Sequence, residues 1–209
     1  MMEFSDHESI VIFDVETSGL NPNQDKIIEF GAVVLRKEGQ VFKKDETINV
    51  VVNIKEPLNE TIKNITNITD EMIANGIEYS ELLDIVESLI AEKPLLVAYN
   101  LPFDVSFLRG LFNHFGKDTT FLDQCDVLDM LTVYRDKHSY PHKLDHAVAM
   151  YDISVQNTHR ALDDALATYE LLETMHAHHD IKSFVNVLGH LKKYPYKGKK
   201  YPHIKYIEQ

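Results

Sequence analysis

Four acids in this chain stand among apolar neighbours that ought to exclude them. In "IVIFDVETSGL", Ile10 to Leu20, a run of Ile, Val and Phe reads as a buried strand, yet Asp14 and Glu16 interrupt its end. An ionised acid out of water is costly unless it is paired or bound to a metal. Side chains in a strand alternate faces, so these two point the same way, roughly 6–7 Å apart. Two carboxylates so placed can share a cation. Taken alone, they are more simply read as solvated acids beyond a strand that stops at Phe13.

Two further segments repeat the anomaly. In "AYNLPFDVSFLRGLF", a helix starting near Pro102 puts Asp104 on one face with Phe107, Leu108 and Leu111. A first-turn acid favoured by the helix dipole is the simpler account of that residue by itself. In "THRALDDALATYELL", helical spacing places Asp164 inward with Ala161, Thr168 and Leu171, and Asp163 outward with Arg160 and Glu170. His159 lies five residues before Asp164, about 140° away on an ideal helix. To share a site with Asp164 it must sit in the lead-in before the helix. A histidine titrates near neutral pH, as a general base should.

One shared site explains all four acids with a single assumption. Gathered carboxylates repel unless cations neutralise them, and oxygen ligands favour Mg²⁺ or Mn²⁺ over zinc. A carboxylate cluster holding two such ions suits in-line attack at phosphorus.

The elements that must position these residues follow from periodicity and turn signals. Ile10–Val15 is a strand. "KIIEFGAVVLRKEGQVFKKDETINVVVNI" reads as two more, joined in a hairpin at Glu38-Gly39. "TDEMIANG" is a short helix capped by Thr69 and stopped by Gly76, and Ser80 is expected to cap "ELLDIVESLIAE". "PLLVAY" is a short buried strand and "DVSFLRGLFNHFG" a helix ended by Gly116. "TFLDQC" is expected as a strand before a helix at about 127–135. Asp126 and Asp145 are read as helix-start residues. A helix at 143–150 and a long final one from Arg160 complete the body. Three strands followed by alternating helices and strands predict an α/β fold, a mixed sheet flanked by helices.

At 209 residues one domain is the default. The only cysteine, Cys125, excludes an internal disulfide and fits a reducing, cytoplasmic setting. The acidic start "MMEFSDHES" does not read as a signal peptide, and no apolar run is long enough to span a bilayer. The net charge is −12, but residues 181–209 hold seven lysines and one acid, so that segment carries +6 and the first 180 residues −18. The residues singled out above all fall in domain 1–180, and 181–209 is a basic extension in which lysines alternate with Tyr194, Tyr196, Tyr201 and Tyr206. Lysines on phosphates and tyrosines on bases is one reading of it. An arm packed on the acidic body is the other.

The ordered blocks "FDVETSGL", "ITNITDEMI", "AYNLPFDVSFL" and "HRALDDALAT" resemble the DnaQ-like 3′–5′ exonucleases of the DEDDh type. That group includes the epsilon subunit and exonuclease domains of bacterial DNA polymerase III. The match runs over roughly residues 8–176; Thr66-Asn67 stand where the family often has His-Gly. The resemblance implies a ribonuclease H-like fold with a five-stranded mixed sheet. It implies that Asp14, Glu16, Asp104 and Asp164 hold two Mg²⁺ or Mn²⁺ ions and that His159 deprotonates the attacking water. It implies that Val15 and Thr17 meet the terminal nucleotide through their backbones, that Leu20 and Phe103 pack on its base, and that Asn100 shapes the scissile-phosphate site. Core packing is the other reading of Leu20 and Phe103. The implied partner is a nucleic acid with a free 3′ end, DNA favoured over RNA, with a DNA polymerase as a possible protein partner. RNA 3′-end trimming and a non-catalytic polymerase-binding subunit are the alternatives.

Overall fold

The computed structural model describes residues 7–155 and 158–209. Most of the acidic N-terminal stretch, residues 1–6, lies outside them. Three long strands come first: β1 (Ser9–Thr17), β2 (Ile27–Glu38) and β3 (Val41–Asn53). They form an antiparallel meander, with Gly39 at φ +66° making the expected hairpin turn between β2 and β3. Two short helices follow, α1 (Glu60–Thr66) and α2 (Asp70–Ala74), capped by Asn59 and Thr69. The edge strand β4 (Ile77–Glu78) leads into α3 (Tyr79–Ile90). The chain then runs through β5 (Leu95–Ala98), α4 (Leu101–His114), β6 (Val127–Asp129), α5 (Met130–Lys137), α6 (Leu144–Met150) and α7 (Ala161–His178). The main sheet has the order β4-β3-β2-β1-β5-β6, with β5 and β6 parallel to β1. It is the expected mixed sheet of five strands plus a two-residue edge pairing of β4 on Val52 and Asn53.

Alternation along β1 divides the core. Ile10 and Ile12 pack on the side of α7, with Leu171 and Leu172. Val11, Phe13 and Val15 pack on the other side, with Leu82 of α3 and Phe107 and Leu111 of α4. Asp14 and Glu16 share the α7 side. Gly31 lies opposite Asp14 on β2, and a Cβ there would sit 2.2 Å from the Leu162 nitrogen and 2.3 Å from the Ala161 carbonyl carbon. Only a glycine lets the start of α7 come this close to the sheet. Gly31→Ala is therefore expected to displace the first turn of α7, cost about 1–3 kcal/mol of stability and lower turnover far more than that loss implies, since small misplacements of reacting groups are expensive. Thermal unfolding and an activity assay on the folded variant check this.

Some expected boundaries shift for identifiable reasons. The cap of α3 is Glu78, not Ser80: Glu78 and Glu81 form a reciprocal capping box two residues earlier. "TFLDQC" is not a strand; Thr120–Gln124 is a 3-10 turn, and the strand is the next apolar run, Val127–Asp129, which pairs with β5. The helix expected at 127–135 starts only at Met130, because Asp129 caps it. Asp126 is not a helix-start residue: its carboxylate meets His7 and Asn186. Asp145 does lie in the first turn of α6. The C-terminal segment forms two parallel strands, β7 (Val187–His190) and β8 (Lys205–Glu208), docked on the body. Asn186 bonds both ways with Val127, the Gly189 amide donates to Thr132, and the Gln209 side-chain amide donates to the Thr132 carbonyl.

Candidate active site

The carboxyl end of β1, the start of α4 and the start of α7 meet at one place. Ligands of open α/β sheets collect at such strand ends. β1 delivers Asp14 and Glu16, α4 delivers Asp104, and α7 delivers Asp164; Asp104 and Asp164 are buried. The Val15 amide donates to Asp104 Oδ1 at 3.2 Å, which ties the first turn of α4 to the end of β1. That amide is committed to Asp104 rather than open to a ligand. Asp164 Oδ1 accepts from the Thr158 amide at 3.1 Å, while the Thr158 hydroxyl donates to Asp163. The inward and outward assignment of the two aspartates thus holds.

His159 lies ahead of α7, as its angular offset from Asp164 requires. It is exposed, and its backbone is left-handed, φ +55°. Histidine is among the residues that tolerate this region. One ligand atom each from Glu16, His159 and Asp164 lie within 4.8 Å of one another, a group able to hold a metal ion.

The electrostatics show what the cluster can hold. Burial, then Asp104, Asp164 and Glu16, hold the Asp14 carboxyl well above its usual range. Burial, then Asp164, pushes Glu16 to about 8. Burial raises Asp164 to about 7, against the Thr158 amide, which lowers it. Asp104 is also raised, chiefly by burial, although backbone hydrogen bonds oppose this. Four acids held above their normal values by burial and by one another form a site that fits hard divalent cations.

This has a consequence for stability. Glu16 and Asp164 bind protons more tightly folded than unfolded, so their contribution is present below the unfolded values near 4 and lost as pH rises through about 7 to 8. In EDTA the unfolding temperature should fall between pH 5.5 and 8.5. Mn²⁺ or Mg²⁺, which bind the ionised form, should restore it, so the metal-induced shift grows with pH. A shift independent of pH would contradict the assignment.

Two buried acids that the sequence reading passed over support the site. Glu29 on β2 is fully buried opposite Glu16. Arg160 grips it in a fork, Nε at 3.1 and 3.0 Å from its two oxygens and a terminal nitrogen at 2.6 Å, and the Ala161 amide donates to it at 3.0 Å. Glu29 therefore anchors the residue after His159 and the first residue of α7. Asp129 accepts from the Asn100 and Leu101 amides at 3.0 and 3.2 Å, and from Leu131 and Thr132 on α5. It caps α5 and fixes the start of α4, three residues before Asp104. Both stand in apolar runs, "IIEFGAVV" and "VLDM", and the test that singled out Asp14 would have found them.

The remaining candidates divide. Leu20 is 84% exposed in the β1–β2 turn, so core packing does not explain it. Phe103 is half-buried against Phe107, ring centroids 5.0 Å apart, which leaves one side in the core and one side open. Thr17 is buried, and its hydroxyl donates to the Gly19 carbonyl at 2.6 Å, shaping the turn that carries Leu20. Asn100 is exposed in a left-handed conformation, φ +71°, and borders the same cavity as His159.

A family model described as exonuclease matches residues 11–172. The chain belongs to this exonuclease family. It is 32% identical over 182 residues to a DNA polymerase III PolC-type protein of Staphylococcus saprophyticus, covering 83% of this chain but 12% of that protein. To the DNA polymerase III subunit epsilon of Treponema pallidum it is 29% identical over 175 residues, covering 83% of this chain and 79% of the relative. The chain thus spans about an eighth of the PolC-type proteins it matches. Among solved structures, exonuclease I aligns with TM-score 0.72 at 19% identity, over 82% of this chain and 41% of that one, and its E. coli form complexed with a dA16 oligonucleotide aligns with TM-score 0.70. This likeness shows that the exonuclease family member described here shares the fold of exonuclease I. No helix among the described residues is long and apolar enough to cross a membrane.

Proposed function

We propose that this chain is a metal-dependent 3′–5′ exonuclease that removes nucleoside 5′-monophosphates from the 3′ ends of single-stranded or frayed DNA. The observation that carries the reading is the convergence of four acids from three separate segments, with His159 beside them. Asp14, Glu16, Asp104 and Asp164 would hold two Mg²⁺ or Mn²⁺ ions. Such ions, when bound, supply the positive charge that neutralises the scissile phosphate. The protein's own residues do the rest. His159, exposed at the mouth and next to Glu16 and Asp164, takes the proton from the attacking water. Glu29 and Arg160 hold His159 in place by pinning the residues that follow it. Thr17 shapes the turn that presents Leu20 to the terminal base, and Phe103 offers its open side to the same end of the strand. Contacts with generic apolar side chains tolerate any base, as a nuclease without sequence preference requires.

DNA is favoured over RNA because the similar curated proteins are named for DNA polymerase III, and the E. coli exonuclease I structures hold deoxyoligonucleotides. The same names make a DNA polymerase the protein partner we propose, with the cytoplasm as the place of work. The substrate assignment is tested by following matched, labelled DNA and RNA strands in Mg²⁺. Faster loss of DNA is expected; faster loss of RNA would replace this reading by RNA 3′-end trimming.

A further inference from the structure

Beside the carboxylate cluster lies a groove of about 580 Å³ that the steps above leave unused, except that His159 and Asn100 form part of its lining. Arg135, in the last turn of α5, is part of its lining. Its Nε is buried and meets no hydrogen-bond partner among the described residues. A guanidinium held partly out of water with one donor unpaired carries a desolvation cost that the charge of an anion in the groove would offset. Helix C-termini also favour cations, but that accounts for the charge and not for the empty donor. Lys143, the residue before α6, is exposed in the same groove.

The one acid of the groove's lining among the described residues, Asp145, is already engaged: the His146 ring nitrogen lies 2.9 Å from it. The wall is also built in place, since the Tyr99 hydroxyl donates to the His142 carbonyl at 2.6 Å. Tyr140 stands 86% exposed at the rim, with an open ring face. Leu191 brings the basic C-terminal stretch to the groove, with Lys192 and Lys193 following it. In a chain of net charge −12, this is a local excess of cations against the catalytic residues.

An anion held here sits next to whatever occupies the carboxylate cluster. We propose that the groove is a second phosphate subsite: Arg135 and Lys143 hold the internucleotide phosphate next to the scissile one, and Tyr140 stacks on the attached base. A planar guanidinium suits a phosphate's paired oxygens, a lysine supplies a point charge, and an exposed tyrosine stacks on any base. The inference rests on the exonuclease reading. It adds that the enzyme grips at least two nucleotides of the strand.

The test compares two substrates. A single-stranded DNA oligonucleotide has both phosphates. The p-nitrophenyl ester of thymidine 5′-monophosphate has only the scissile one. In Arg135→Gln, kcat/KM on the oligonucleotide should fall about tenfold relative to kcat/KM on the ester, mainly through KM. Lys143→Gln, at an exposed position that leaves folding intact, should move the ratio the same way by a smaller factor. Arg135→Lys should recover part of the loss. An equal loss on both substrates would make Arg135 a structural residue and overturn the inference, and so would an unchanged ratio in both Gln variants. Inorganic phosphate that inhibits ester hydrolysis through Arg135 as strongly as the oligonucleotide does would mark a free-anion site instead. A wild-type protein inert on the ester and the oligonucleotide alike would overturn the exonuclease reading itself, and the inference with it.

Discussion

His159→Ala lowers nucleotide release by about 10²–10⁴-fold, the range lost with a general base, and leaves the unfolding temperature within a few degrees of wild type. His159 is exposed and precedes α7, so the core does not need its ring. Its place beside Glu16 and Asp164 suits proton transfer from a water on the same phosphate. Asp14→Asn separates the contributions further. It removes one proposed ligand and should abolish turnover, yet it also removes one of four like charges crowded together. The metal-free Asp14→Asn protein should therefore unfold at a higher temperature than the metal-free wild type at pH 8, where repulsion with Glu16, Asp104 and Asp164 is strongest. Turnover near the wild-type rate in either variant would refute the site assignment.

Breaking the Glu29–Arg160 pair, by Glu29→Ala or Arg160→Ala, is expected to be the most destabilising change near the site. Glu29 is fully buried and satisfied by three hydrogen bonds from Arg160 and one from the Ala161 amide. Removing one partner of a buried pair leaves the other uncompensated, at a cost of about 3–5 kcal/mol. For a chain of this size that is a drop of roughly 6–20 °C in unfolding temperature. Arg160→Ala should cost at least as much as Glu29→Ala, because it leaves the fully buried Glu29 with only the Ala161 amide, whereas Glu29→Ala leaves an arginine that is 30% exposed and can be hydrated. The double variant should be less destabilised than the sum of the two, since the pair acts as a unit. Activity should fall in both single variants even at temperatures where they are folded, because α7 carries Asp164 and is led in by His159. Thermal melts with assays on the folded fraction separate the two effects.

The convergence of the candidate residues was legible because acids violate the apolar pattern around them. Asp14, Glu16, Asp104 and Asp164 each broke a periodicity, and the helical offset of His159 from Asp164 placed it before α7. The supporting residues were harder to read for a physical reason. Glu29 and Asp129 break apolar runs too, but their partners, Arg160 and the Asn100 and Leu101 amides, lie far along the chain and are brought near only by the fold. Gly31 gave no local signal, since the residues it must admit, Ala161 and Leu162, come from 130 positions away. The ends of short elements misled for another reason. A capping box at Glu78–Glu81 outcompeted Ser80, and pairing with β5 made a strand of Val127–Asp129 where intrinsic preference favoured helix. The docking of the basic C-terminal segment was not legible because its two strands pair with each other, and its anchors, Val127, Thr132 and Asp123, lie 50 or more positions earlier in the chain.

The central claim is that the carboxylate cluster removes nucleotides one at a time from a 3′ end with a divalent metal. The most direct measurement is the product pattern from a 5′-labelled single-stranded DNA, in Mg²⁺ and in EDTA. A ladder shortening by single nucleotides from the 3′ end is expected, with nucleoside 5′-monophosphate as the released product and no shortening in EDTA or with Asp14→Asn. Degradation that persists in EDTA, or that releases the labelled 5′ nucleotide first, would contradict it.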